Sequence, residues 1–276
     1  MNDLRKIQVM GIVNLTDDSF YQGSRCLGVD EAVNRVSEML EAGADIIDFG
    51  ACSTRPGSSP VGAEEEWRRL APVLAEVRGA FPDAEISIDT YFSSVVSKAY
   101  DLIGDFIIND ISAGEDDPMM LKTAGLLGLT YVAMHKRGTP ADMQEFTDYN
   151  DVVSDVISYF RDFAEKAQAA GIRNWILDPG FGFAKTLEQN WELMRGLSDL
   201  KALCRESGGP QGILAGVSRK SMICRLLDIA PEQSLSATQV AHLMAIEGGA
   251  DILRVHDVAE TVQTVRLYNC LNGNIL

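Results

Sequence analysis

The chain has 276 residues, 46% of them hydrophobic, with 24 glycines and a formal charge of −16. That length and apolar content suit one large domain, residues 1–276, with a substantial core. The acidic balance excludes nucleic acid and anionic membrane as general partners, and no apolar run approaches the roughly 20 residues that span a bilayer.

The first apolar run, Ile7 to Val13, ends at Asn14, and a polar, glycine-containing loop follows to Gly28. From Asp30 to Glu41, Val33, Val36 and Leu40 recur at helical spacing, and Gly43 suits the helix end. Ile46 to Phe49 predicts a second strand that opens into a loop running from Ala51, and a helix over about Ala63 to Arg78 comes next. Ile86–Thr90, Phe106–Asp110, Leu129–Ala133 and Trp175–Leu177 read as further strands, with Asp89, Asn109, His135 and Asp178 at their C-terminal ends. A long helical pattern over about 149–170 separates the last two. The apolar runs at 213–216 and 251–253 then break into Val217-Ser218-Arg219-Lys220-Ser221 and Arg254-Val255-His256-Asp257. An amphipathic helix over about 259–271 closes the chain.

Eight strand candidates alternating with helices in this length predict an α/β fold closed into a parallel (β/α)8 TIM barrel, not an open doubly wound sheet. The dinucleotide fingerprint is missing, because Gly180-Phe181-Gly182 lacks a third glycine at the required spacing, and no Walker lysine arrangement occurs. Polar residues gather where strands end, which in a barrel is the catalytic mouth.

Those residues divide chemically. Asp89, Asn109, Asp178 and Lys220 can donate and accept hydrogen bonds to the edge of a flat polar heterocycle. Any one Asp after a strand would read as a helix cap; four such residues in register read as a site. Arg254 and His256, with Asn14 and Arg55, suit a phosphate or diphosphate accompanied by magnesium, to which Asn14 gives one neutral oxygen. Ser218 and Ser221 suit the start of a helix, whose free N–H groups favour anions.

Seven segments in series, Met10–Thr16, Ser53–Gly57, Ile88–Thr90, Ile108–Ile111, Asp178–Phe183, Ser218–Ser221 and Arg254–Asp257, resemble the dihydropteroate synthases in order and spacing over nearly the whole chain. The resemblance implies a transferase of folate biosynthesis that joins 6-hydroxymethyl-7,8-dihydropterin diphosphate to 4-aminobenzoate, works as a homodimer and is inhibited by sulfonamides. It implies that Asp89, Asn109, Asp178 and Lys220 hold the pterin edge, with Arg219 near its face. Arg254 and His256 would hold the diphosphate, with Asn14 on its magnesium. Thr54, Arg55, Pro56, Phe183 and Ser218 would shape the aminobenzoate pocket once two early loops, about 14–28 and 50–62, close; both are expected to be disordered without ligand. Asp89, Lys220, Arg254 and His256 would be the catalytic set.

Three departures from the family pattern touch the loops: Asp17 stands for a usual proline, Ala51 for a glycine and Cys52 for a glutamate. Cys52 reads as a small buried residue, His135 as pocket lining and His242 as structural. The chain's five cysteines (Cys26, Cys52, Cys204, Cys224, Cys270) are scattered, and the N-terminus has no signal-peptide core; both point to a reducing cytoplasm. Two rivals remain: a pterin-dependent methyltransferase, which would need neither the Ser53–Gly57 segment nor the Arg254/His256 pair, and a non-catalytic pterin-binding paralogue, which would have eroded Asn14, Asp89, Lys220 or His256.

Overall fold

The computed structural model describes residues 7–15, 28–52, 61–139 and 142–272. Within them lie eight strands: β1 (Gln8–Asn14), β2 (Ile46–Gly50), β3 (Glu85–Asp89), β4 (Ile107–Asp110), β5 (Thr130–Met134), β6 (Trp175–Asp178), β7 (Leu214–Ala215) and β8 (Ile252–Val255). They are parallel, in the order β6-β5-β4-β3-β2-β1-β8-β7. The two edges meet through a bridge between Leu177 and Ile213, where the Leu177 N–H donates to Gly212 O at 3.1 Å and the Gln211 N–H to Trp175 O at 2.8 Å. The sheet is thus a (β/α)8 barrel, as the strand rhythm predicts.

The helices are α1 (Val29–Glu41), α2 (Ala63–Ala80), α3 (Ser93–Ile103), α4 (Met120–Leu127), α5 (Val152–Ala170), α6 (Leu187–Arg195), α7 (Leu197–Lys201), α8 (Ser221–Leu227), α9 (Leu235–Gly248) and α10 (Val258–Leu271). Most boundaries follow the sequence pattern. α5 starts later than its periodicity suggests because Asp151 caps it, its side chain accepting from Ser154 N at 2.7 Å. α4 escapes the sequence reading: eight mostly apolar residues with a glycine inside give no clear polar face. β7 is reduced to two residues because the chain turns immediately after it, with Lys220 N–H bonded back to Val217 O and Arg219 in a left-handed conformation at φ 55°.

Parallel barrel strands are covered on both faces, so their side chains alternate between two buried layers. Outward residues such as Ile47, Phe49, Ile88, Ile108, Tyr131, Trp175, Leu253 and Val255 pack under the helices. The lower interior is plugged by Met10, Ile46, Ile107, Val132, Ile176, Leu214 and Ile252, one from each of seven strands. Two residues further along, on the same inward face, come Asp48 above Ile46, Asn109 above Ile107, Asp178 above Ile176, Gly216 above Leu214 and Arg254 above Ile252. An apolar plug below and a polar ring above follow directly from the period of two.

Among the described residues, no helix is long and apolar enough to cross a membrane.

Candidate active site

Asp48 lies at the centre of the ring and has no exposed surface. It accepts from Arg254 Nε at 2.7 Å, Ser87 Oγ at 2.6 Å and Asn109 Nδ2 at 3.3 Å. Arg254 also donates through Nη2 to Asp89 Oδ2 at 2.7 Å. One guanidinium therefore ties β8 to β2 and β3. The sequence reading separates a heterocycle-binding group containing Asp89 from an anion-binding group containing Arg254; the structure joins the two, because a buried guanidinium must satisfy its fork on whatever carboxylates flank it.

Asp178 fixes one oxygen on the N–H of Gly180 at 2.8 Å. Its other oxygen lies toward Lys220 and Arg254 across Gly216: a Cβ built there would stand 3.8 Å from Lys220 Nζ, 4.0 Å from Asp178 Oδ2 and 4.0 Å from Arg254 Cβ. Lys220 donates to the carbonyl of Phe181 at 2.5 Å and lies 5.0 Å from the centre of the Phe183 ring. Asp178, Lys220 and Arg254 thus share one cup.

Burial disfavours the charged form of each group in it. It raises Asp89 to about 7, against the pull of Arg254 and with the help of Asp48, Asp110 and Asp178. It raises Asp178 against Lys220, and it lowers Lys220 to about 8 in spite of Asp178. Carboxylates outnumber cations here, so the cup favours a guest that brings N–H donors or positive charge.

On the rim, Ser218 Oγ lies 3.0 Å from His256 Nδ1 and accepts from the His256 N–H at 3.3 Å. Ser218 therefore does not cap α8; its N-cap position is Lys220, and no side chain caps it. Arg219 is held on the rim. Its guanidinium forms two bonds to Asp257, at 2.8 and 2.7 Å, and one to Pro231 O at 2.8 Å. The backbone at Arg219 is left-handed, at φ 55°.

Asn14 pairs with Gly50, and its side-chain oxygen flanks Gly50 together with Asp89. No group of three or more His, Cys, Asp or Glu among the described residues could hold a metal by itself. Asn14 fits magnesium only in the mode where substrate oxygens and water supply most ligands. Thr54, Arg55, Pro56 and Asp17 lie outside the described residues.

Several residues important to the site carry no sequence signal. Ser87 is one position in an apolar strand. Lys185 is fully enclosed behind the 178–183 loop, where His135, expected to line the pocket, turns its ring onto it at 3.0 Å. Glu66, in the first turn of α2, is buried with neither oxygen hydrogen-bonded among the described residues. Cys52 is half-buried beside the Tyr91 hydroxyl at 3.8 Å. His242 is buried in α9, as expected of a structural histidine.

A family model described as pterin binding enzyme matches residues 10–256. The dihydropteroate synthase of Haemophilus influenzae is 40% identical over 268 residues, which cover 96% of this chain and 94% of that protein. The Escherichia coli enzyme is 39% identical over 267 residues, covering 96% and 92%. Among solved structures, Yersinia pestis dihydropteroate synthase with a sulfonamide drug complex has a TM-score of 0.90 at 37% identity, covering 98% of this chain and 96% of that one. The Xanthomonas albilineans enzyme with 4-aminobenzoic acid has a TM-score of 0.86 at 37% identity, covering 97% and 93%. Full-length similarity and a barrel mouth with this composition lead to one assignment: the chain belongs to the dihydropteroate synthase family of pterin-binding enzymes.

Proposed function

We propose that the cup formed by Asp89, Asn109, Asp178, Lys220 and Arg254 carries the dihydropteroate synthase reaction, in which 6-hydroxymethyl-7,8-dihydropterin diphosphate and 4-aminobenzoate give 7,8-dihydropteroate and diphosphate. The observation that supports it most is the convergence of Asp178, Lys220 and Arg254 on the space above Gly216. Carboxylate oxygens there accept from the amino and ring N–H groups of a pterin edge, and Lys220 and Asn109 donate to its acceptors. Arg219, held by Asp257, acts at most from the side of the ring.

The C–O bond to diphosphate breaks, and positive charge on the methylene spreads into the pterin. Asp89 and Asp178, which with Asp48 outnumber Lys220 and Arg254, offset that charge as it develops. Arg254 and His256 take the charge of the departing diphosphate, and Ser218 orients His256 through Nδ1. Asn14 would hold magnesium, which when bound neutralises diphosphate oxygens. The aniline nitrogen then forms the C–N bond and loses its proton. Phe183 and Ser218, with Thr54, Arg55 and Pro56, form the aminobenzoate pocket in this reading.

The same reading makes the protein a cytoplasmic homodimer. Four described cysteines, Cys52, Cys204, Cys224 and Cys270, are free thiols, which suits a reducing compartment. Leu226, Leu227, Val240, Met244, Leu267 and Leu271 stand exposed on α8, α9 and α10, a surface that a second copy can cover.

The test is direct: the protein is mixed with the pterin diphosphate, magnesium and 4-aminobenzoate, and diphosphate release is followed. Asp89→Ala and Lys220→Ala should lower turnover by about two orders of magnitude or more. Tight pterin binding without diphosphate release would make the chain a non-catalytic relative instead.

A further inference from the structure

Behind the 178–183 loop is a buried lysine that the reaction scheme does not use. Lys185 is 3% exposed, and its hydrogen-bond partners among the described residues include no carboxylate. Its Nζ lies 3.0 Å from His135 Nδ1, 3.0 Å from Gly180 O and 3.0 Å from Phe183 O. An ammonium has three protons and no lone pair, so these three acceptors use it completely. Burial lowers Lys185 from 10.5 to about 7, so it holds this three-proton form below about that pH, and there His135 accepts at Nδ1 with its ring proton on Nε2. Burial lowers its pKa, with Lys185 and Arg137 adding to the effect, which keeps the ring neutral and able to accept. The ring is held in place by Tyr159, edge-on at 4.8 Å, and by Tyr149 at 6.1 Å.

The loop needs such an anchor. Gly180, Gly182 and Ala184 alternate in left-handed conformations, at φ 70°, 83° and 51°. For Ala184 that conformation is strained, and strained backbone persists only where its surroundings over-determine it. At Gly180 an added Cβ would stand 2.0 Å from His135 O, so the loop is pressed directly against the end of β5. Lys185 binds the carbonyls at both ends of the Gly180–Phe183 turn. Between them lie the Phe181 carbonyl that anchors Lys220 and the Phe183 ring. Asn190 of α6 supplies a second hold, accepting from Gly182 N at 2.6 Å and donating to Lys185 O and Thr186 O.

We propose that Lys185, oriented by His135, is a positioning residue that presents Phe183 and the Phe181 carbonyl to the second substrate and to Lys220. The inference rests on Phe183 forming part of the aminobenzoate pocket. It holds the loop at Gly180 O and Phe183 O, while Asp178 is fixed by its own bond with Gly180 N.

The test uses the full-length Lys185→Met, which keeps volume and removes the ammonium, together with His135→Leu and the double variant. Hydrogen exchange at Gly182 and Phe183 should accelerate about tenfold in Lys185→Met, while exchange in β6 stays unchanged. The KM for 4-aminobenzoate should rise about tenfold, and the dissociation constant of the pterin should rise less, because Asp178 and Arg254 still hold it when Lys220 loosens. His135→Leu should move both in the same direction, and the double variant should be no worse than Lys185→Met, because the two act as one unit. If Lys185→Met does not fold, His135→Leu, which removes one of three partners, is read in the same assays. A merely structural lysine would lower the melting temperature and the active fraction with both substrate constants unchanged; that result, or unchanged loop exchange, overturns the proposal. Faster loop exchange with an unchanged aminobenzoate KM would likewise overturn it, and diphosphate release by the parent protein would show that the reaction itself still stands.

Discussion

Arg254 and Asp48, 206 positions apart in sequence, form a hydrogen-bonded ion pair of 2.7 Å in which the carboxylate has no exposed surface. Such a pair gains little over apolar packing, yet breaking it from one side strands a charge. Asp89 remains as a second partner for Arg254, while Ser87 and Asn109 lose theirs. Asp48→Ala should therefore cost about 3 kcal/mol, toward the lower end for a broken buried pair. Urea unfolding of the two proteins checks it. A loss below about 0.5 kcal/mol, the scale of an ordinary surface substitution, would mean that the network is not structural.

Gly216 gives a cleaner test of where the ligand lies. Its backbone is not left-handed, and a Cβ there would meet Lys220, Asp178 and Arg254 only at ordinary contact distances of 3.8 to 4.0 Å. The fold has room for a methyl group; a ring held by those three residues does not. Gly216→Ala should leave the thermal midpoint within a few degrees, a shift of less than about 1 kcal/mol, and weaken pterin binding about tenfold or more. Calorimetric titration with a pterin measures the second. Unchanged affinity would move the pterin off this floor.

How much of this was legible in the sequence depends on the range of the interaction. The barrel and its polar mouth were, because a period of two places Asp48, Asn109, Asp178 and Arg254 on the same face as Ile46, Ile107, Ile176 and Ile252. The pairings across the mouth were not. That Arg254 joins Asp48 to Asp89 depends on strands first and last in the chain becoming neighbours, and no local pattern encodes the direction of a guanidinium. Arg219 illustrates the same limit. Its motif resembles the family's, but its pairing with Asp257, 38 positions away, has no local sequence pattern. Lys185 was invisible for a related reason: its partners are two carbonyls and a ring nitrogen, and backbone carbonyls have no sequence signature.

The ionisable groups of the cup predict the pH dependence of the free enzyme. Asp89, ordinarily near 3.8, is raised to about 7, and Lys220, ordinarily near 10.5, is lowered to about 8, each chiefly by burial. The charge scheme needs the carboxylate ionised and the ammonium protonated. kcat/KM should accordingly rise as pH approaches about 7 and fall above about 8. Lys220→Arg replaces an ammonium that titrates with a guanidinium that does not. Whatever its absolute rate, its profile should lose the alkaline limb. A limb that persists in Lys220→Arg would belong to another group.

Glu66 offers a stability test separate from catalysis. Its carboxyl is raised from 4.5 to about 7, mainly by burial, which Thr90 opposes and Asp89 assists to a lesser extent. A raised acid favours the fold fully below its unfolded value, about 4.5, and that contribution is lost as pH rises through about 7. Glu66→Gln cannot ionise, so it should match the parent near pH 5 and exceed it near pH 8, by about 2 kcal/mol and at most about 3. Asp89 titrates in the same direction in both proteins, so the difference between their stability curves reports Glu66 together with its coupling to Asp89. Denaturant unfolding at the two pH values supplies the comparison, and parallel curves for parent and variant would show that Glu66 gains a partner when the chain is in solution.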